Sequence, residues 1–131
     1  MMGRKRMIIR ENMERWIQAL ETYEGTQARG ALVERDKDGK RTMCAVGIGL
    51  NEFGLLDTVL YKYRVMGALI KFRHLLGLET TGDPERFSLY EVDLKPDDSG
   101  HDEVTGANDI GEQSPWTIAQ RLRETYLKEE Q

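Results

Sequence analysis

Lys37-Asp38-Gly39-Lys40-Arg41-Thr42-Met43-Cys44-Ala45-Val46-Gly47-Ile48-Gly49-Leu50 decides how this chain is read. Asp38-Gly39 signals a tight turn, because both residue types tolerate positive φ. Ala31-Leu32-Val33 and Arg41-Thr42-Met43 flank the Arg35–Gly39 stretch as the two arms of a hairpin. Asp36 and Asp38 do not begin a calcium loop, since the twelfth position from Asp36 is Gly47 and not glutamate. Cys44 then opens a helix predicted over residues 44–53, with Gly54 as its stop. Val46, Leu50 and Phe53 share one side and Ile48 lies elsewhere beside Cys44, so this short helix is apolar all round and should be buried. Gly47 and Gly49 each cost about 1 kcal/mol relative to alanine inside a helix. That cost points to close approach of a neighbouring backbone.

Outward from this centre, Met13, Trp16, Ile17 and Leu20 recur at i, i+3, i+4 and i+7. The spacing predicts a helix over 12–23, with Asn12 as N-cap, Gly25 as stop and Trp16 as a core anchor. Residues 58–66 alternate like a strand, with Val59, Tyr61, Tyr63 and Val65 on one face. Gly67 breaks that pattern, and Val65, Leu69, Phe72 and Leu76 fit a helical stripe, so a helix is expected from about 67 to 76 before Gly77. A last strand is expected around Phe87–Val92. Residues 95–111, rich in glycine and acids, read as a loop. Ser114-Pro115 opens a final helix with Ile118, Ala119, Leu122 and Tyr126 on its apolar face. The expected fold is α+β, about four helices around a small, mainly antiparallel sheet. Residues 1–10 form a basic tail, with Met1–Arg6 expected to be poorly ordered. Residues 11–131 form one domain with an acidic loop at 95–111.

The chain has 131 residues, the size of one ordinary domain. It has one cysteine and so no internal disulfide, and nothing in it points to an oxidising compartment. Charged residues make up 32% and the mean hydropathy is -0.60. No apolar run approaches the ~20 residues of a membrane span. Met7-Ile8-Ile9 is too short for a signal peptide's apolar core. The expectation is a cytoplasmic protein with no membrane association. The net charge of -4 is unlike the basic balance of most nucleic-acid-binding domains. It is also polarised. Arg4, Lys5, Arg6 and Arg10 are basic, whereas Asp93, Asp97, Asp98, Asp102, Glu103, Asp109 and Glu112 make one segment acidic.

Four stretches carry a resemblance: Trp16-Ile17-Gln18-Ala19-Leu20; Gly39 through Leu50 with its Cys-x-x-Gly helix; Phe72-Arg73-His74-Leu75-Leu76-Gly77-Leu78; and Asn108-Asp109-Ile110-Gly111 followed by Ser114-Pro115-Trp116-Thr117-Ile118-Ala119. In order and spacing the chain resembles small proteins common in actinobacteria and their bacteriophages, a family with no established activity. The resemblance implies one compact domain and a phage-type or actinobacterial source. It carries over no catalytic residue. This chain has Met43 where family members often have a second cysteine, and His74-Leu75 where they usually have tryptophan.

Cys44 is the sharpest chemical candidate. A thiolate at a helix N-terminus is stabilised by free N–H groups and the helix dipole. A cysteine hydrolase or transferase would also need a base, and His74 and His101 are the two histidines. His74 falls in a predicted helix and His101 in the acidic loop, neither on a strand after the cysteine helix where a papain-like fold places its base; the alternative pairs Cys44 with His101. The other reading of Cys44 is a small buried hydrophobe. His101 among Asp97, Asp98, Asp102 and Glu103 could also hold a cation, but a Ser99-Gly100 loop offers little fixation, so no metal is expected. Tyr61-Lys62-Tyr63-Arg64 and Lys71-Phe72-Arg73-His74 interleave rings and cations as single-strand binders do. That makes Lys62 and Arg64 binding candidates beside the reading of a solvated face. Asn108 and Asp109 are a polar binding candidate, or a turn and cap before the last helix. No phosphate loop, dinucleotide fingerprint, zinc ligand set or serine triad is present, so no cofactor is expected. The leading expectation is a small non-enzymatic accessory protein of phage type that binds a host or viral macromolecule, with a protein as partner. The rivals are a cysteine enzyme and a nucleic-acid binder.

Overall fold

Trp16 organises the interior. It lies on α1 (Arg10–Glu21), whose apolar stripe Met13, Trp16, Ile17 and Leu20 is buried along its whole length. The structure is a computed structural model that describes residues 8–35, 37–56, 65–78 and 92–128. Strands β1 (Val33–Arg35) and β2 (Arg41–Met43) pair antiparallel, with Val33 opposite Met43 and Arg35 opposite Arg41. Gly39 in the connecting turn has φ 81°, the backbone that the Asp-Gly signal predicts. The first arm is displaced two residues from the expected Ala31–Val33, whereas the second is as expected.

Cys44 is the N-cap of α2 (Ala45–Glu52), in which Ala45 through Leu50 are all buried. Both of its glycines sit where a side chain has no room. A Cβ on Gly47 would lie 2.1 Å from the Leu32 carbonyl oxygen, the close backbone approach that the sequence implies. A Cβ on Gly49 would instead meet rings, 2.5 Å from Phe72 Cζ and 2.8 Å from Trp16 Nε1. Those rings pack edge to face with centroids 5.0 Å apart, and Trp16 Nε1 donates to the Ala45 carbonyl at 3.0 Å. Gly49 therefore makes the space in which α1, α2 and the next helix meet.

That helix, α3, runs Val65–Leu76 and so includes the two residues before the expected position. Val65 and Met66 are thus helical and not the end of a strand. Gly67 is exposed in the first turn, where it does not interrupt the burial of Ala68, Leu69, Phe72 and Leu76. Gly54 and Gly77 end α2 and α3 with φ 73° and 79°. In both, the next residue's N–H reaches back five positions, Leu55 to Leu50 O at 2.8 Å and Leu78 to Arg73 O at 2.9 Å. Asn12 is not a cap. The N-cap of α1 is Ile9, and Asn12 Nδ2 donates to the Leu75 carbonyl at 2.7 Å, tying α1 to the end of α3. Nor does Gly25 stop α1, which ends at Glu21 with Thr22 bonded back to Gln18.

The acidic stretch is not all loop. Residues 104–109 form α4 (Val104–Asp109), with Val104, Ala107 and Asn108 buried. Its six residues include threonine, glycine, asparagine and aspartate, poor helix formers that leave no periodic trace. Burial of one face holds it. Before it, Leu94 N–H bonds to Asp102 O and Val104 N–H to Val92 O, a narrow antiparallel strap. Arg121 pins this strap. It donates to the carbonyls of Lys95 at 2.9 Å and His101 at 2.7 Å, and pairs with Asp97 at 3.1 Å. The last helix, α5 (Pro115–Leu122), begins as predicted, with Ser114 Oγ accepting from Thr117 N–H at 3.1 Å. A π-helical turn, Arg123–Leu127, continues it. Arg123 joins this end to α1 by ion pairs to Glu14 at 2.8 Å and Glu21 at 3.2 Å.

Among the described residues there are five α-helices and one two-stranded antiparallel sheet, the α+β class expected. No helix among them is long and apolar enough to cross a membrane. The expectations for the tail at 1–6, the strand at 58–64 and the strand at 87–91 lie outside the described residues.

Candidate functional site

The most concentrated polar chemistry is a buried knot around Asn108, which is 1% exposed. Two distant segments and its own neighbour Asp109 converge on its side chain. Oδ1 accepts from the N–H of Ala45, the first residue of α2, at 3.0 Å and from Gln27 Nε2 at 2.6 Å. Nδ2 donates to the Ala28 carbonyl at 2.9 Å and to Asp109 Oδ1 at 2.7 Å. Both lone pairs of the amide oxygen and both N–H donors of the amide nitrogen are therefore accounted for inside the protein. Asp109 Oδ1 also accepts from Gly30 N–H at 2.9 Å, and Gln27 Nε2 reaches the Gln113 carbonyl at 2.8 Å. Arg29 Nε donates to the Asn108 carbonyl at 3.1 Å. Asn108 and Asp109 thus fasten the 27–30 loop, the start of α2 and α4 to one another. Their partners lie on the 27–30 loop and at the start of α2, not on the nearby backbone that a turn or cap before the last helix would use.

Cys44 lies next to this knot. Its Sγ accepts from Gly47 N–H at 3.4 Å, closing the first turn of α2. Burial pushes the thiol up to about 11, outweighing the N–H groups of Gly47 and Val46 that favour the thiolate. Asp109 raises it further. Neither histidine is among the groups acting on it. His74 is exposed on α3, and His101 lies against Gly111, where an added Cβ would be 2.8 Å from its Cδ2. The structure therefore brings Cys44, Asn108 and Asp109 together and places the His101 ring against the α4–α5 connection.

The raised thiol has a consequence for stability. In the unfolded chain the cysteine ionises near its ordinary value of 9.0. Below that pH both states hold the proton and the folded thiol's contribution is complete. As pH rises toward about 11, the unfolded chain ionises first, so folding stability should fall by on the order of 2–3 kcal/mol. Urea unfolding from pH 8 to 10.5 checks this. The stability gap between the wild type and Cys44→Ala should narrow across that range, and a constant gap would mean that the thiol titrates normally.

The acidic strap holds Asp97 below the ordinary carboxylate range, through hydrogen bonds from the Ser99 hydroxyl and backbone and then the Arg121 charge. Arg121 pairs with this carboxylate at 3.1 Å. Among the described residues no three histidine, cysteine, aspartate or glutamate side chains converge as metal ligands. Lys62 and Arg64 lie outside the described residues. Of the other cations in the interleaved stretches, Lys71 is exposed, but Arg73 is 6% exposed, turned into the domain and unavailable to a phosphate backbone.

No protein-family model, curated protein or solved structure matches the chain. Its chemistry is therefore read from its own geometry. The residues that sequence reasoning missed are Gln27, Arg29 and Gly30. A glutamine in a short polar stretch carries no periodicity and no motif, and its partners are about eighty positions away.

Proposed function

We propose that the protein acts by binding a protein partner and not by covalent chemistry at Cys44. One observation carries this reading: the sole thiol is buried, held protonated, and already engaged as the N-cap of α2. Nucleophilic catalysis needs the thiolate and a base within hydrogen-bond reach. Together with the resemblance in sequence, this describes an accessory protein of phage type working in a bacterial cytoplasm. Two large side chains left at the surface, Trp116 at 59% exposure and Ile110 at 74%, are the kind of residues that anchor protein interfaces.

The test is alkylation by iodoacetamide at neutral pH. Native protein should remain unlabelled while the same protein in guanidinium labels fully, because a core thiol reacts only when the structure opens. Labelling of the native protein faster than free cysteine, with loss of the cellular effect in a folded Cys44→Ser variant, would instead establish a cysteine enzyme.

A further inference from the structure

Residues 95–100, the tip of the strap between Val92 and Val104, are all exposed, so burial does not hold them in place. The buried side chains of the strap, Val92, Leu94 and Val104, lie at its base. Two backbone bonds cross it there, from the N–H groups of Leu94 and Val104. The tip is tied to the domain by one short stretch at the end of the last helix. Thr125 Oγ1 accepts from Lys95 N–H at 3.0 Å, and the Tyr126 hydroxyl donates to the Asp93 carbonyl at 2.8 Å. Arg121 makes the other ties. Four oxygens surround its guanidinium: the carbonyls of Lys95 and His101, the Asp97 carboxylate at 3.1 Å and the Gln113 side-chain carbonyl at 3.2 Å. The Arg121 side chain is only 10% exposed. Loops elsewhere gather carbonyl and carboxylate oxygens on a bound metal ion. Here the chain supplies the cation, and the planar fork of a guanidinium serves several acceptors at once. The tip's remaining hydrogen bonds are internal, from Ser99 to Asp97 and from His101 N–H to the Ser99 hydroxyl.

We infer that the strap is a latch: it opens as one unit, with the rest of the domain folded, when the Arg121 guanidinium releases Lys95, Asp97 and His101. Stability is distributed unevenly in this fold. Segments with few buried apolar side chains and solvent-exposed backbone hydrogen bonds open before the core does. The contacts that join α1, α2 and α3, among Trp16, Phe72, Gly49 and the Ala45 carbonyl, involve no residue of the strap. Opening uncovers Leu94, 4% exposed when the strap is closed, and frees the guanidinium donors for acceptors on another molecule. The closed strap thus conceals an apolar side chain and a charge that the open strap presents.

The experiment is residue-resolved amide hydrogen exchange of the full chain, followed by NMR in urea below the unfolding transition. Ile48, whose N–H bonds to the Cys44 carbonyl in α2, reports the core, and Leu94 and Lys95 report the strap. In the wild type, Leu94 and Lys95 should exchange faster than Ile48 and with little response to urea, whereas Ile48 should accelerate as urea rises. Arg121→Ala should speed exchange at Leu94 and Lys95 by about a hundredfold, because several hydrogen bonds to one charged group are lost together. Ile48 should speed up by no more than that factor, since unfolding of the core includes opening of the strap. Trp16→Phe should show the converse asymmetry: faster exchange at Ile48, with Leu94 and Lys95 unchanged. Asp97→Asn serves as a milder variant, removes the charge from one of the four acceptors and should speed the strap amides several-fold. A common urea dependence for Leu94, Lys95 and Ile48 in the wild type would overturn the proposal, because strap and core would then open together. Equal acceleration of Leu94 and Ile48 in Trp16→Phe, or unchanged strap amides in Arg121→Ala, would overturn it as well.

Discussion

Asn108→Ala should cost about 3–6 kcal/mol of folding stability, a large share of the total of order 5–15 kcal/mol that a domain possesses. The substitution strands the Ala45 N–H, the Ala28 carbonyl and part of the Gln27 amide. Each buried group left without a partner costs about 1–3 kcal/mol. Asn108→Asp separates polarity from fit. Its carboxylate can still accept from Ala45 and Gln27, but it cannot donate to Ala28 and it faces Asp109. That variant should be destabilised at neutral pH and should recover part of the loss in acid, where a protonated carboxyl can donate. The direction follows because the folded state raises this carboxyl's pKa, so its stability is present at low pH and lost as pH rises. Urea unfolding of both variants at pH 7 and pH 4.5 is the measurement. A loss below about 1 kcal/mol for Asn108→Ala would show that water replaces the side chain and that the knot contributes little.

Trp16→Ala should cost about 3–5 kcal/mol, the range for deleting a large buried aromatic side chain. Trp16 is fully buried, packs edge to face on Phe72 and donates to the Ala45 carbonyl. The cavity would open between three helices, and Gly49 offers no side chain to fill it. Trp16→Phe keeps the apolar ring and loses the N–H, so it should cost clearly less than alanine. Thermal and urea unfolding of the two variants give the comparison. A Trp16→Ala loss under about 1 kcal/mol would mean that the core closes over the gap.

Much of the framework was legible in local sequence. The Asp-Gly turn, the cysteine-capped buried helix, the stops at Gly54 and Gly77 and the Ser114-Pro115 start each depend on a few adjacent residues whose backbone preferences agree. The Trp16 stripe was legible because a helix repeats its burial every three to four residues. Helix starts were less well marked. Asn12 has the right chemistry for a cap, but packing against the end of α3 draws its amide to Leu75 and lets α1 begin earlier. α4 leaves no helical signal in the sequence because its residues disfavour helix locally, and only burial against the rest of the domain overrides them.

The candidate site divides along the same line. By itself the sequence determined that Cys44 begins a buried apolar helix and that Asn108-Asp109 precede the last one, because both follow from short-range pattern. Whether the thiol would be activated or silent was decided by tertiary structure. Helix-end N–H groups lower its pKa and burial raises it, and the balance depends on what covers the sulfur and on where the two histidines come to rest. Tertiary structure likewise joined Gln27 to Asn108 and Gly30 to Asp109 across about eighty residues, and brought Lys95, Asp97 and His101 onto Arg121. Periodicity reports which face of an element is buried. It carries no information on which distant polar groups that burial will bring within hydrogen-bond reach.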